Sequence, residues 1–474
     1  MKAITLLLAL LTSLPCLADT YDLVIEGGRV MDPESGLDAV RNVGINGHRV
    51  ARISSDSLSG RRVLKARGLV VAPGFIDLHQ HAQDLESGRL KALDGVTTAL
   101  ELEIGVADVA AFLDAKRGRS YVHFGSSASH AAARAAAFGK PLRADELIPA
   151  AGPATDDAAS ETQIQTVEQR LRHELGAGAL GVGIGLEYTP GATREEIIRM
   201  FHLAAVGGVP VFTHVRGGNR VEPNSGIQSV EEVIGAAAIT GAALHIVHIN
   251  SMCTRQSSTC LDMVAGARAR GLDVTTEAYP YTAAMTFINS AVFNPGWQEA
   301  QGISYADLGL PDGGERLTRE RFDALRAAPK PQLVLMYINS EAVVDEVLAN
   351  PLVMIASDGG PGHPRNAGSF ARVLSRQVRQ LGRISLMDAL RQMTLMPAQR
   401  LEKATPAART KGRLQEGADA DVVVFDPATV ADHATYAAPR QASTGMRYVI
   451  VGGTLLIEEG KLVGGVYPGE ALRH

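Results

Sequence analysis

APGFIDLHQH, residues 72–81, decides how this chain is read. An apolar run follows a Pro-Gly pair and ends in two histidines two residues apart. On an extended strand residues i and i+2 point to the same side, so His79 and His81 face one way. A single buried histidine is more often structural than functional. Two on one face at a strand end suit a metal, because imidazole nitrogen is a preferred ligand of zinc and similar first-row ions.

Working outward, seven further runs share this character: VTTALELE, SYVHFGSS, GALGVGIGL, VPVFTHV, ALHIVHIN, LDVTTEAY and PLVMIASD. Helical patterns separate several of them. EEIIRMFHLAAVGG carries its own glycine stop, and VEEVIGAAAITG repeats the design. Strands alternating with helices indicate a parallel sheet, and eight such units favour a TIM-like (β/α)8 barrel over a doubly wound sheet. His214 ends the fifth run, His248 the sixth and Asp358 the eighth. Four imidazoles and a carboxylate therefore arrive at strand ends, which is the catalytic face of such a barrel.

A long stretch, about residues 285–348, separates the last two strands. It holds Trp297, a helix predicted to start at Thr318 and an extra strand, LVLMYIN. An insertion at that place is expected to form a lid or wall over the site. Helices continue to about residue 401, where SLMDALRQM opens with Ser385 and Asp388. Residues 21–72 and the C-terminal part read instead as short strands with Gly and Asn-Gly turns. The expected organisation is a leader at 1–18, a first β region at 19–72, the barrel at 73–400 and a second β region at 401–474.

MKAITLLLALLTSLPCLAD has the charge, short apolar run and small residues of a secretory signal peptide, with cleavage expected after Ala18. The apolar run is too short to span a membrane, so no span is expected in the mature chain, and the location expected is periplasmic or secreted. Beyond Cys16, the cysteines are Cys253 and Cys260, in SMCTRQSSTCLD. In an oxidising compartment such a close pair in a polar loop is expected to bridge. The net charge is −5 with Lys and Arg scattered. Without a basic stripe, nucleic acid is not an expected partner.

The second run, TTALELEIG, raises a separate question. Glu101 and Glu103 sit on one strand face among apolar neighbours, and two like charges there are costly without a cation beside them.

Taken in order, PGFIDLHQH, FTHV, IVHIN, ASDGG and GRLQEGADADVVVFDP resemble the amidohydrolase superfamily. GVTT, SASH, GALGVGIGLEYTPG, TEAYPYTA, GHPRNAGSFARVL and LRQMTLMPAQRL resemble its N-acyl-D-amino acid deacylase branch, over nearly the whole mature chain. The resemblance implies a metal-binding barrel with a small β-sandwich made from both chain ends, which agrees with the terminal β regions read above. It implies His79, His81, His214 and His248 as metal ligands, and Asp358 as ligand and general acid/base. It implies one or two divalent ions, zinc first. Arg365 of GHPR and Tyr279 of YPYT match residues that hold the substrate carboxylate. His130 of SASH matches a position near the pocket, and Tyr188 is a candidate wall or oxyanion donor. Glu187 beside it is expected to face away, and His245 is expected to be a core or surface residue.

The chain departs from the branch at the second strand. The deacylases carry a Cys ligand there, and other amidohydrolases use a carbamylated Lys on the fourth strand. This chain has neither. Glu101 and Glu103 are the anions available to bridge two metals, and Glu103, nearer the strand end, is the one expected. The position where the branch has a small hydroxyl residue holds Met285. The activity implied is hydrolysis of a C–N amide bond in a small-molecule substrate with a free carboxylate, an N-acyl-D-amino acid or related dipeptide, by metal-activated water. A cyclic amidase or dipeptidase of the same superfamily is the second reading. A non-catalytic scaffold is the third, and the intact ligand set argues against it.

Overall fold

A computed structural model describes residues 20–143 and 146–474. The expected leader, residues 1–18, lies outside the described residues. All eight apolar runs form the strands of one parallel sheet: Phe75–Asp77, Val96–Val106, His123–Ser129, Val182–Gly185, Val211–His214, Leu244–Ile246, Val274–Ala278 and Val353–Ile355. Their order in space is their order in sequence. Such runs are buried on both faces, hence almost continuously apolar rather than alternating.

The sheet closes on itself through side chains. Asp77, on the first strand, accepts from Ser357 N at 3.0 Å and Ser357 Oγ at 2.5 Å, just beyond the eighth strand. The buried Lys91 ammonium lies 2.9 Å from the same carboxylate. Backbone joins in where His81 N and Ala82 N both reach Gly359 O. A buried carboxylate is tolerated when its lone pairs are satisfied and a cation is adjacent. Here that satisfied group latches the first strand to the last.

The helices between strands follow their capping signals. Thr193 accepts from Glu196 N at the start of Arg194–Gly207, and Gly208 ends that helix at φ 69°. Ser225 and Gly241, the latter at φ 74°, bracket Gly226–Thr240 in the same way. Only glycine takes these left-handed C-terminal positions without steric cost. Ile197, Met200, Phe201 and Ala204 recur at helical spacing and are buried. Each large one contributes roughly 1.5–3 kcal/mol by leaving water.

The insertion folds as a small antiparallel sheet of Ala283–Phe287, Leu308–Gly309 and Leu333–Tyr337. Its helix does start after Thr318, which caps Arg319–Arg326. Phe293, Trp297 and Phe322 pack beneath that sheet together with Ile104 and Tyr188, from the ends of barrel strands. The insertion is thereby seated on the C-terminal end of the barrel. Both chain ends contribute to one nine-stranded sheet, joined where Val422–Phe425 pairs with Val70–Pro73. Among the described residues no helix is long and apolar enough to cross a membrane.

Candidate metal centre

The first barrel strand delivers His79 and His81 to one place, as the i, i+2 spacing requires, while Gln80 turns away toward Asn366 and Ser357. Both rings are aimed from behind. His79 Nδ1 lies 2.6 Å from Glu277 Oε1, and His81 Nδ1 lies 2.7 Å from Glu101 Oε2. A neutral imidazole has one N–H, and a carboxylate at Nδ1 keeps it there. The two Nε2 lone pairs then converge, 3.0 Å apart. Glu103 Oε2 sits 3.0 Å from the first and 2.9 Å from the second. Asp358 Oδ1 sits 3.4 Å and 3.3 Å from them. Four lone-pair donors thus face one another with no proton required between them. A tetrahedral zinc shell with 2.0–2.1 Å bonds has ligand–ligand edges of about 3.3 Å, and these separations match it.

The other oxygen of Glu103 serves a second group. Oε1 lies 2.6 Å from His214 Nδ1 and 2.9 Å from His248 Nε2. His79, His81, Glu103 and Asp358 form one potential cation site, and Glu103, His214 and His248 another. Glu103 belongs to both.

The local electrostatics call for positive charge. Burial alone would push His79 down, but Glu103 and Asp358 outweigh it and hold the ring up to about 10. His214 is likewise raised to about 9 against its burial, by Glu103 and Glu187. Burial would raise Asp358, yet Arg365 and His79 keep it below the usual carboxylate range. His248 and Asp358 also sit at φ 28° and 50°. Such backbone costs of order 1–3 kcal/mol each and collects at working sites.

A cavity of about 330 Å³ opens onto this cluster, lined by His81, His214, His248 and Asp358 and by Ala284, Met285, Thr286 and Met336 of the insertion. That volume suits a small molecule. Arg365 is 1% exposed, with Nη2 2.8 Å from Asp358 and its guanidinium over the Tyr279 ring. Its Nε and Nη1 are buried and, among the described residues, have no hydrogen-bond partner.

Residues 62–457 match the sequence profile described as Amidohydrolase family. The chain belongs to the amidohydrolase family. It is 33% identical to N-acyl-D-glutamate deacylase of Alcaligenes xylosoxydans xylosoxydans, over 92% of this chain and 93% of that one. D-aminoacylase of the same organism is 30% identical over 94% and 96%. A solved structure of N-acyl-D-glutamate deacylase from Bordetella bronchiseptica, complexed with zinc and a phosphonate inhibitor, superposes with a TM-score of 0.82. It is 28% identical and covers 96% of this chain and 100% of that one.

Within this amidohydrolase the remaining expectations fare differently. Tyr188 stands at the cavity wall with its ring 4.7 Å from His214. His130 does not reach the cavity lining. It is fully buried on the helix His130–Ala137, with Nε2 2.9 Å from Glu196, which also pairs with Arg134. The HAAAR spacing puts His130 and Arg134 one helical turn apart on one face, so both meet the same carboxylate. Glu187 does not face away as expected. The fourth strand ends at Gly185, so strand alternation does not extend to it. Glu187 lines the cavity, 2.8 Å from His214 Nε2.

His245 is a core residue, and its Nε2 lies 3.1 Å from Glu277, the same carboxylate that aims His79. Glu277 was missed. Its only signal is a charge inside the buried strand VTTEA. Glu101, weighed as a possible ligand, instead backs His81 and accepts from Ile104 N and Gly105 N. Cys253 and Cys260 lie within bonding distance, sulfurs 2.17 Å apart. Their segment is not an open loop but the turn between helices Ile249–Cys253 and Ser257–Ala269, which is what brings residues seven apart together.

Proposed function

We propose that this chain is a metal-dependent deacylase that hydrolyses the amide bond of an N-acyl-D-amino acid. One observation carries the reading: a single carboxylate, Glu103, stands between two groups of converging imidazole nitrogens, opposite Asp358 and Arg365. His79, His81, Glu103 and Asp358 would hold one divalent ion, and Glu103, His214 and His248 the second. Zinc suits this nitrogen and oxygen donor set. When bound, such ions lower the pKa of water toward neutrality and polarise a carbonyl.

The chain's own groups supply the rest. Asp358, held ionised, takes the proton of the attacking water and returns it to the departing nitrogen. That return is needed because an amide anion is a poor leaving group. Arg365 keeps buried N–H groups at Nε and Nη1 without a partner, and its charge favours the substrate carboxylate. Tyr279 beneath its plane keeps it in place, and Tyr188 closes the wall beside His214. Similarity to two curated D-amino acid deacylases along almost the whole chain supports the substrate class.

Metal quantification followed by a hydrolysis screen of N-acyl-D-amino acids, N-acyl-L-amino acids and dipeptides tests this. About two equivalents of metal and preference for the D-series are expected. A protein that binds no metal, or that turns over only L-substrates or dipeptides when loaded, would refute it. The leader pattern of residues 1–18 and the paired cysteines support export from the cytoplasm. Intact mass of the exported protein should place its first residue at Asp19.

A further inference from the structure

We infer that Ser251 is a positioning residue for His248: its hydroxyl keeps the ring proton on Nδ1 and leaves Nε2 free for the second ion. This rests on the two-ion reading above and adds a residue to it. The other three imidazoles of the centre are each backed by a carboxylate, His79 by Glu277, His81 by Glu101 and His214 by Glu187. An ionised carboxylate only accepts, so it fixes a ring proton by itself. Among the described residues, the partner of His248 Nδ1 is instead a hydroxyl, Ser251 Oγ at 3.0 Å. On its other side His248 Nε2 lies 2.9 Å from Glu103 Oε1.

A hydroxyl can donate or accept, so its own proton must be committed elsewhere before it can fix a ring. Ser251 Oγ is also 3.0 Å from His248 O, which can only accept. The hydroxyl proton goes to that carbonyl, and the oxygen accepts from Nδ1–H. Without Ser251, Nδ1–H would be buried and unpaired, which is costly. Moving the proton to Nε2 would relieve that cost, because Glu103 is there to accept it. The same N–H would then stand where the ion belongs.

The hydroxyl is held in place by its backbone. Ser251 is 7% exposed and lies in the short helix Ile249–Cys253. Within that helix Asn250 Nδ2 donates to Tyr279 O at 3.1 Å, and Asn339 Nδ2 of the insertion donates to Asn250 O at 2.6 Å. Cys253 at its end pairs with Cys260. Gly218 and Gly226 press against Met252 O so closely that a Cβ on them would come within 2.8 Å and 2.7 Å of it.

Chelator competition on the zinc-loaded protein, resolving the two ions as separate steps, tests the inference. The step that His248→Ala abolishes identifies the ion at Glu103, His214 and His248. In Ser251→Ala that ion should be bound about 10–100-fold more weakly, the range for a partner behind a metal ligand, while the other keeps its affinity. The ratio of the two affinities is internal to each sample, so loss of folded protein does not mimic the effect. A wild type that holds fewer than two ions overturns the two-ion reading, and the inference with it. Two ions in the wild type and an unchanged ratio in Ser251→Ala overturn the inference alone, whether or not the variant melts lower.

Discussion

Two buried clusters of charge sit at opposite ends of the barrel, and only one asks for something from outside. At the base, where the strands begin, Asp421 lies 3.0 Å from His123 Nε2 and 2.7 Å from the Lys411 ammonium. It also accepts from Gly452 N, and His123 Nδ1 accepts from Glu470 N. Each acceptor atom of that pair, both oxygens of Asp421 and Nδ1 of His123, meets a donor of the protein. At the mouth the protons of His79 and His81 point backward, to Glu277 and Glu101, and acceptors meet acceptors in front. Burial and charge are alike at the two ends. What distinguishes a structural cluster from a site is whether its donors and acceptors balance.

Substitutions can break that contrast. The largest effect is expected at Asp358. Asp358→Asn removes the proton shuttle but keeps an oxygen toward the histidines, so turnover should fall about 10²–10⁴-fold, the range for a general acid/base, with metal still bound. Metal analysis alongside kcat decides this, and retention of more than a tenth of activity would contradict the role. Glu103→Ala should come next. Removing the group shared by both donor sets should leave fewer than two metals per chain, with activity down in step; a variant that keeps two metals and full activity would refute the shared role.

At the base the same kind of change should act on stability alone. Asp421→Asn strips Lys411 and His123 of a buried counter-charge, a loss expected to cost about 3–5 kcal/mol. Metal content and kcat per folded molecule should be unchanged. The pH dependence follows from the direction of the shift. Burial alone would raise Asp421, but His123 and Lys411 hold it well below the ordinary carboxylate range. A depressed folded pKa stabilises above the unfolded value of about 3.9 and loses that contribution as pH falls below it. Thermal melts of the wild type should therefore drop below about pH 4, and Asp421→Asn should flatten that part of the profile. An unaltered acid limb would show that the base cluster is not what acid breaks.

Much of this was legible in the sequence because strand periodicity and strand ends are local properties. APGFIDLHQH fixes which way two histidines point, and TTALELEIG announces a buried carboxylate needing a cation. Legibility failed where the chain leaves regular structure or where a partner lies far away. Glu187 is two residues past the end of its strand, so alternation misplaces it. His130 stands at a strand end like the other histidines, yet Glu196, 66 positions on, draws it into the core.

Glu277 gives the smallest and most discriminating test. It receives His79 Nδ1 with one oxygen and His245 Nε2 with the other. Glu277→Gln keeps an acceptor for His79 and offers an amide to His245, whose ring can accept it by moving its proton to the Thr275 side. Packing is therefore preserved while the charge behind His79 is lost. Outer carboxylates of this kind typically change metal affinity by about 10–100-fold. Competition with a chelator should show such weakening for Glu277→Gln, with little change in melting temperature. A stability loss without a change in metal affinity would place Glu277 with the base cluster, as a charge satisfied within the protein rather than one that aims a ligand.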